Sequence, residues 1–114
     1  MNLQRLANEH CQPRKGAEHA IDGARAKELL RTLPGWMLAA DGKEISKDFK
    51  FGDFHRTIGF INALAWFANR EDHHPDLEVD YGHCRVRWST HDVGGLSLND
   101  FICAAKTELL VAGT

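Results

Sequence analysis

The sequence predicts an α+β fold: a two-layer α-β-β-α-β-β-α arrangement, with a four-stranded antiparallel sheet carrying three helices on one face. Three observations predict it. Three stretches place apolar residues at helical spacing. Between them lie two pairs of short segments in which apolar and polar residues alternate, each pair joined by a turn signal. Each of these segments has one apolar and one polar side, as a sheet covered on a single face requires. At 114 residues and 43% hydrophobic content, the chain has the size and composition of one domain with one core, and disorder throughout is excluded.

Residues 1–20 are polar, lack periodicity and include Pro13 and Gly16, so they are expected to be a loose N-terminal arm. Residues 21–114 are expected to be the single domain. Its first helix carries Ala26, Leu29, Leu30 and Leu33, with Asp22 as N-cap and Pro34-Gly35 as the stop. Trp36, Met37 and Leu38 open a strand. Asp41-Gly42 is the signal of a two-residue type I′ turn, in which both positions need positive φ. The returning strand alternates Ile45, Lys47, Phe49 and Phe51 against Glu44, Ser46 and Asp48. The second helix, from about residue 53 to 69, shows Phe54, Ile58, Ile61, Ala65 and Ala68 as one stripe, widened by Phe60, Leu64 and Phe67. Leu77, Val79 and Tyr81 alternate with Glu78 and Asp80 before Gly82; Cys84, Val86 and Trp88 alternate with His83, Arg85 and Arg87. The third helix spans about residues 98–111. Ser97 and Asp100 have the spacing of a capping box at its start.

Composition narrows the function classes. The 14 Lys+Arg against 16 Asp+Glu give a net charge of −2, without the basic excess of a nucleic-acid-binding module. No apolar run approaches the roughly 20 residues of a membrane span, and the start of the chain has no stretch of signal-peptide length. Cys11, Cys84 and Cys103 are odd in number and lack paired spacing, which fits a reducing cytoplasm.

Seven histidines are the unusual feature. His10, His19, His55 and His83 read as ordinary surface residues. His73-His74-Pro75 precedes the third strand and His91 follows the fourth. The hairpin about Gly82 returns the chain to its starting edge, so it places His73, His74 and His91 near each other. No metal motif is present: there is no His-x-x-x-His on a helix and no Cys-x-x-Cys. No Gly-x-Ser-x-Gly marks a nucleophile. Cys84 and Cys103 read as small core residues. Trp36, Trp66 and Trp88 read as core, although Trp36 follows a Pro-Gly turn and is placed to reach a rim. What remains is general acid–base chemistry by imidazole.

The set His73-His74-Pro75, Tyr81, Ser89-Thr90-His91, Gly95-Leu96 and Asp100 resembles the pterin-4a-carbinolamine dehydratase family, with matching spacing from the histidine pair to the aspartate. Trp36 stands where that family has a tryptophan, and Asn99-Asp100-Phe101-Ile102 looks like the bacterial members. The resemblance covers about residues 20–112. It implies the same fold, a homodimer or homotetramer, and dehydration of a 4a-hydroxytetrahydropterin to the quinonoid dihydropterin in tetrahydropterin recycling after aromatic hydroxylation. It implies no metal and no cofactor, the pterin being the substrate. It implies His73 and His74 as the acid–base pair, His91 as a third member, and Asp100 orienting His91 or stabilising its cation. Ser89 and Thr90 are implied at the pterin ring edge, and Asn69, Asp72, Pro75 and Trp36 as further substrate-binding residues. Asn69 departs from the family, which carries an acidic residue there; Glu71 and Asp72 lie closer to the pair but at a different helix phase. The other readings are a pterin-binding relative without catalysis, a member linked to molybdenum-cofactor metabolism, a dimerisation partner of a transcription factor, and a zinc hydrolase.

Overall fold

The computed structural model describes residues 1–112; Gly113 and Thr114, the end of the expected 21–114 domain, lie outside the described residues. The described elements are α1 (Leu3–Asn8), α2 (Gly23–Leu30), β1 (Met37–Leu38), β2 (Ile45–Lys50), α3 (Phe54–Glu71), β3 (Asp76–Val79), β4 (His83–Trp88) and α4 (Leu98–Val111), with short 3-10 turns at Ala17–His19 and His91–Val93. The α+β class and the antiparallel four-stranded sheet are as predicted. The helices number four among the described residues because the N-terminal segment supplies one more.

Each helix starts where a short polar side chain can accept an otherwise orphaned N–H. Asp22 accepts from Arg25 N at 2.9 Å and Asp53 from Arg56 N at 2.7 Å. Ser97 and Asp100 form the reciprocal capping box of α4. The sheet order is β1-β2-β4-β3, so the second and fourth strands are central. Ile45 pairs with Trp88 and Phe49 with Cys84. That register puts Ile45, Phe49, Cys84, Val86 and Trp88 on one buried face, under Leu64, Phe101 and Ile102 of the helices. The β1–β2 hairpin forms, but not through a type I′ turn. Gly42 has φ 72°, whereas Asp41 has no positive φ and accepts instead from Lys43 N at 3.0 Å. That local bond favours a longer loop over residues 39–44, closed by Ala39 N donating to Glu44 O.

The expected loose arm is corrected by the structure. Asn2 caps α1 by accepting from Arg5 N, and Leu6 and Ala7 are buried against α4. Lys106 Nζ donates to Ala7 O at 2.7 Å, closing one of the free carbonyls at the end of α1. Three apolar side chains (Leu3, Leu6 and Ala7) at i, i+3 and i+4 suffice for a six-residue helix because α4 offers an apolar face to receive them.

Candidate active site

The site is built where α3 hands over to β3. Pro75 rules out helical geometry just before it. The chain leaves α3 through Asp72 in the left-handed conformation, φ 51°, with His73 N donating back to Ala68 O at 3.1 Å. An aspartate tolerates this better than a branched residue. The turn swings His73 inward over the sheet. Asp76 pairs with Arg87 across the β3–β4 ladder, so continuing that register brings His73 level with Thr90. The imidazole stacks on Trp88, 5.5 Å between centroids and 12° between planes.

His73 Nε2 lies 2.6 Å from Asp100 Oδ1. A carboxylate can only accept, so the proton is on Nε2, and Nδ1 is the ring nitrogen left for exchange with a ligand. Asp100 is fully buried. Its other oxygen, Oδ2, accepts from Thr90 Oγ1 at 2.7 Å and from Ser97 N at 2.9 Å. Thr90 has then spent its hydrogen, so Ser97 Oγ donates to Thr90 Oγ1 across 2.7 Å and itself accepts from Asn99 N. Every hydrogen in this chain has one assignment, and Asp100 is a fixed acceptor for one ring edge of His73.

Two cavities meet at this junction. One, of about 460 Å³, is lined by His73, Asp72, Thr90, Glu71, Asp92 and Asn99 and walled on its outer side by residues 11–15. The other, of about 670 Å³, runs along α3 and is lined by Asn69, His74, Pro75, Trp66, Arg70 and Leu77. Both have the volume of a small-molecule site. The adjacent histidines thus serve different walls, as side chains on successive residues of an extended segment do.

The structure therefore brings together His73, Asp100, Thr90 and Asp72, and sets Asn69, His74 and Pro75 around the corner of the same junction. Ser89 is half-buried and lines neither cavity, and His91 is exposed on the 3-10 turn and lines neither. Asp100 contacts His73 rather than His91, because the β-hairpin register places Thr90, not His91, beside the pair. Trp36 sits away from this junction: it is buried, lies edge-on to Phe49, and donates from Nε1 to Glu108 Oε1 at 2.8 Å. Glu108 is eight residues along α4 from Asp100, roughly 12 Å.

Sequence reasoning missed three contributors. Trp88 read as core, and its second role as a stacking platform for His73 depends on register. Asn99 and Glu71 hold the N-terminal segment against the cavity. Asn99 Oδ1 accepts from Gln12 N at 3.1 Å and Arg14 Nε at 2.9 Å, and Glu71 Oε1 accepts from Cys11 N at 2.7 Å. Burial pushes the Glu71 carboxyl up, but the Cys11 N–H, His10 and Lys106 outweigh it and hold the group below the usual glutamate value. The overlooked signal was Asn2 as a cap followed by Leu3, Leu6 and Ala7 at i, i+3 and i+4, too short a run to stand out from the polar residues around it.

These features describe a two-layer α+β protein with a histidine–aspartate pair at the open end of its β3–β4 hairpin, facing a ligand-sized cavity. Residues 19–110 match the family model described as Pterin 4 alpha carbinolamine dehydratase. A protein of Xanthomonas euvesicatoria, named "Putative pterin-4-alpha-carbinolamine dehydratase", is 59% identical over 105 residues, covering 92% of this chain and 89% of the relative. A Stenotrophomonas maltophilia protein of the same name is 58% identical, covering 92% and 90%. Among solved structures, a transcriptional coactivator/pterin dehydratase from Brucella melitensis superposes with TM-score 0.77 at 30% identity, covering 81% of this chain and 98% of that one. A pterin dehydratase-like protein, described as a RuBisCO assembly factor in the alpha-carboxysome, shares the fold at TM-score 0.60 and 20% identity, covering 70% and 93%. The chain belongs to the pterin-4a-carbinolamine dehydratase family.

Proposed function

We propose that this chain dehydrates a 4a-hydroxytetrahydropterin to the quinonoid dihydropterin, with His73 as the principal proton-transfer group. The observation that carries this reading is the His73–Asp100 pair at the wall of the 460 Å³ cavity. In the reaction the C4a–O bond breaks, the hydroxyl leaves with an added proton as water, and N5 loses its proton as the C4a–N5 double bond forms. Protons and water are the only things moved, so the chemistry calls for no redox cofactor and no metal. Asp100 fixes the ring and keeps the Nε2 proton, leaving Nδ1 for exchange with the substrate. Thr90 and Asp72 border the same cavity and are proposed at the ring edge, together with Ser89. His74, with Asn69 and Pro75 on the adjoining groove, is proposed as the second proton-transfer group, and His91 as an outer member.

The proposed setting is tetrahydropterin recycling in the cytoplasm by a homodimer or homotetramer. No described helix is long and apolar enough to cross a membrane. The test is an ultraviolet stopped-flow assay on chemically generated 4a-hydroxytetrahydropterin, with a chelator present. Acceleration at catalytic protein concentration is expected; a folded protein that leaves the spontaneous rate unchanged overturns the reading. One observation favours a second reading, a pterin binder with weak turnover: Asn69 supplies an amide beside His74 where the family has a carboxylate. Saturable pterin binding without turnover is its signature.

A further inference from the structure

Residues 9–16 run as a strap across the His73 cavity. Glu71 receives Cys11 N at 2.7 Å and meets His10 Nδ1 at 2.9 Å. The Asn99 side chain holds both the N–H and the carbonyl of Gln12, at 3.1 and 2.8 Å. Gly16 N donates to Asp92 O at 3.1 Å. The whole strap is thus tied down by reversible hydrogen bonds to α3, α4 and the turn after β4. Beneath it, Cys11 Sγ lies 3.4 Å from Cys103 Sγ, although the two residues are 92 positions apart. Cys103 is buried in α4, three residues beyond Asp100. Cys11 is half-buried and lines the cavity, so a small solute entering there meets its sulfur. The third cysteine, Cys84, is buried in β4.

We propose that Cys11 and Cys103 form a reversible dithiol–disulfide pair that fastens this strap over the His73 cavity. The inference goes beyond the dehydratase reading and does not depend on it. The oxidant is a small-molecule disulfide. The Cys11 thiolate attacks one of its sulfurs, forming a mixed disulfide and expelling one thiolate. Cys103, giving up its proton, then attacks Cys11 Sγ and expels the second. The two protein thiols lose two electrons and two protons, and the oxidant's S–S bond is reduced to two thiols. The sulfurs must close to about 2.0 Å, which side-chain rotation and a small strap movement supply. The hydrogen bond with Cys11, and then burial, push the Cys103 thiol up, so Cys11 is the entry point and Cys103 the resolving residue.

The test uses the full chain treated with oxidised glutathione, then denatured, alkylated and mapped under non-reducing conditions. Trypsin places the three cysteines on three different peptides, after cleavage at Arg5 and Arg14, Arg70 and Arg85, and Arg87 and Lys106. The expected product is an intramolecular Cys11–Cys103 cross-link, a mass lower by about 2 Da, alkylated Cys84, and reversal by a reductant. Amide hydrogen exchange at residues 11–16 is expected to slow about tenfold on oxidation, and to be unchanged by the same treatment in Cys11→Ser and in Cys103→Ala. A glutathione adduct at Cys11 with no cross-link, a cross-link between two chains, or a cross-link that leaves exchange unchanged overturns the proposal. None of these readouts requires turnover, so a failure here is separable from a failure of the dehydratase assignment.

Discussion

At Asp100, one oxygen closes the capping box of α4 while the other holds His73. A structural and a site role therefore fall on a single carboxylate, and the variants separate them. Asp100→Asn keeps the shape but must turn an N–H₂ toward either the Nε2–H of His73 or the Thr90 and Ser97 donors. It is expected to cost about 1–3 kcal/mol for a buried group left facing a like partner, read by urea unfolding, and to lower turnover of the proposed substrate. His73→Ala leaves α4 capped but strips the buried Asp100 Oδ1 of its donor and removes the stack on Trp88, so it is expected to cost about 1–3 kcal/mol while turnover falls by about 10²–10⁴-fold. A folded His73→Ala protein with wild-type turnover would remove His73 from the mechanism. Trp88 carries an indole N–H that is buried without a hydrogen-bond partner among the described residues. Trp88→Phe keeps an aromatic face for His73 and removes that orphan donor, so its stability loss should be well short of the about 3–5 kcal/mol of a full aromatic deletion.

Among the elements, the N-terminal segment is the one whose role depends most on its neighbours. Leu6 is wholly buried against α4, and Leu6→Ala is expected to cost about 2–5 kcal/mol by chemical unfolding; a change near zero would mean that α1 does not dock in solution. Glu71 gives this segment a pH dependence whose sign is determined. Its folded carboxyl binds a proton less readily than the ordinary glutamate at 4.5. The unfolded chain therefore takes up protons first as pH falls, so the stabilisation is complete above about 4.5 and is lost as pH drops through the lower folded value. The gap in thermal midpoint between wild type and Glu71→Gln should be widest at neutral pH and should narrow below that point. A gap constant from pH 3 to 7 would contradict the assignment. At the opposite end of α4, Trp36 and Lys47 converge on Glu108, which ties the β1–β2 hairpin to that helix far from the chemistry.

For the whole molecule, the open edges of the sheet are β1 and β3, and Trp66 and Tyr81 are large side chains left exposed. A homo-oligomer is the proposed state, and sedimentation should give a mass at a multiple of 12.8 kDa; a monomer at micromolar concentration would reject it. Asn69→Glu places a carboxylate on the groove that His74 lines, and turnover is expected to rise by several-fold if that carboxylate assists proton transfer. The elements of the domain were legible because their signals are local. Asp22, Asp53 and Ser97 each cap within three residues, and the alternation in residues 83–88 maps directly onto a one-sided sheet. The antiparallel return of the third and fourth strands was legible for the same reason, which is why the His73 end and the Ser89–His91 end were expected together.

By itself, the sequence determined the α+β class, the starts of α2, α3 and α4, the two hairpins and the family, because capping, periodicity and motif spacing are properties of neighbouring residues. Only the tertiary structure decided which groups touch. The strand register set Thr90 rather than His91 beside His73, the left-handed turn at Asp72 brought an extended segment there whose alternation sends His73 and His74 to different cavities, and α4 recruited residues 3–8 as a helix and Cys11 to the side of Cys103. The physical reason is range. A one-residue difference in register or phase costs little locally, and it is resolved only when a distant buried surface or a buried carboxylate selects its partner.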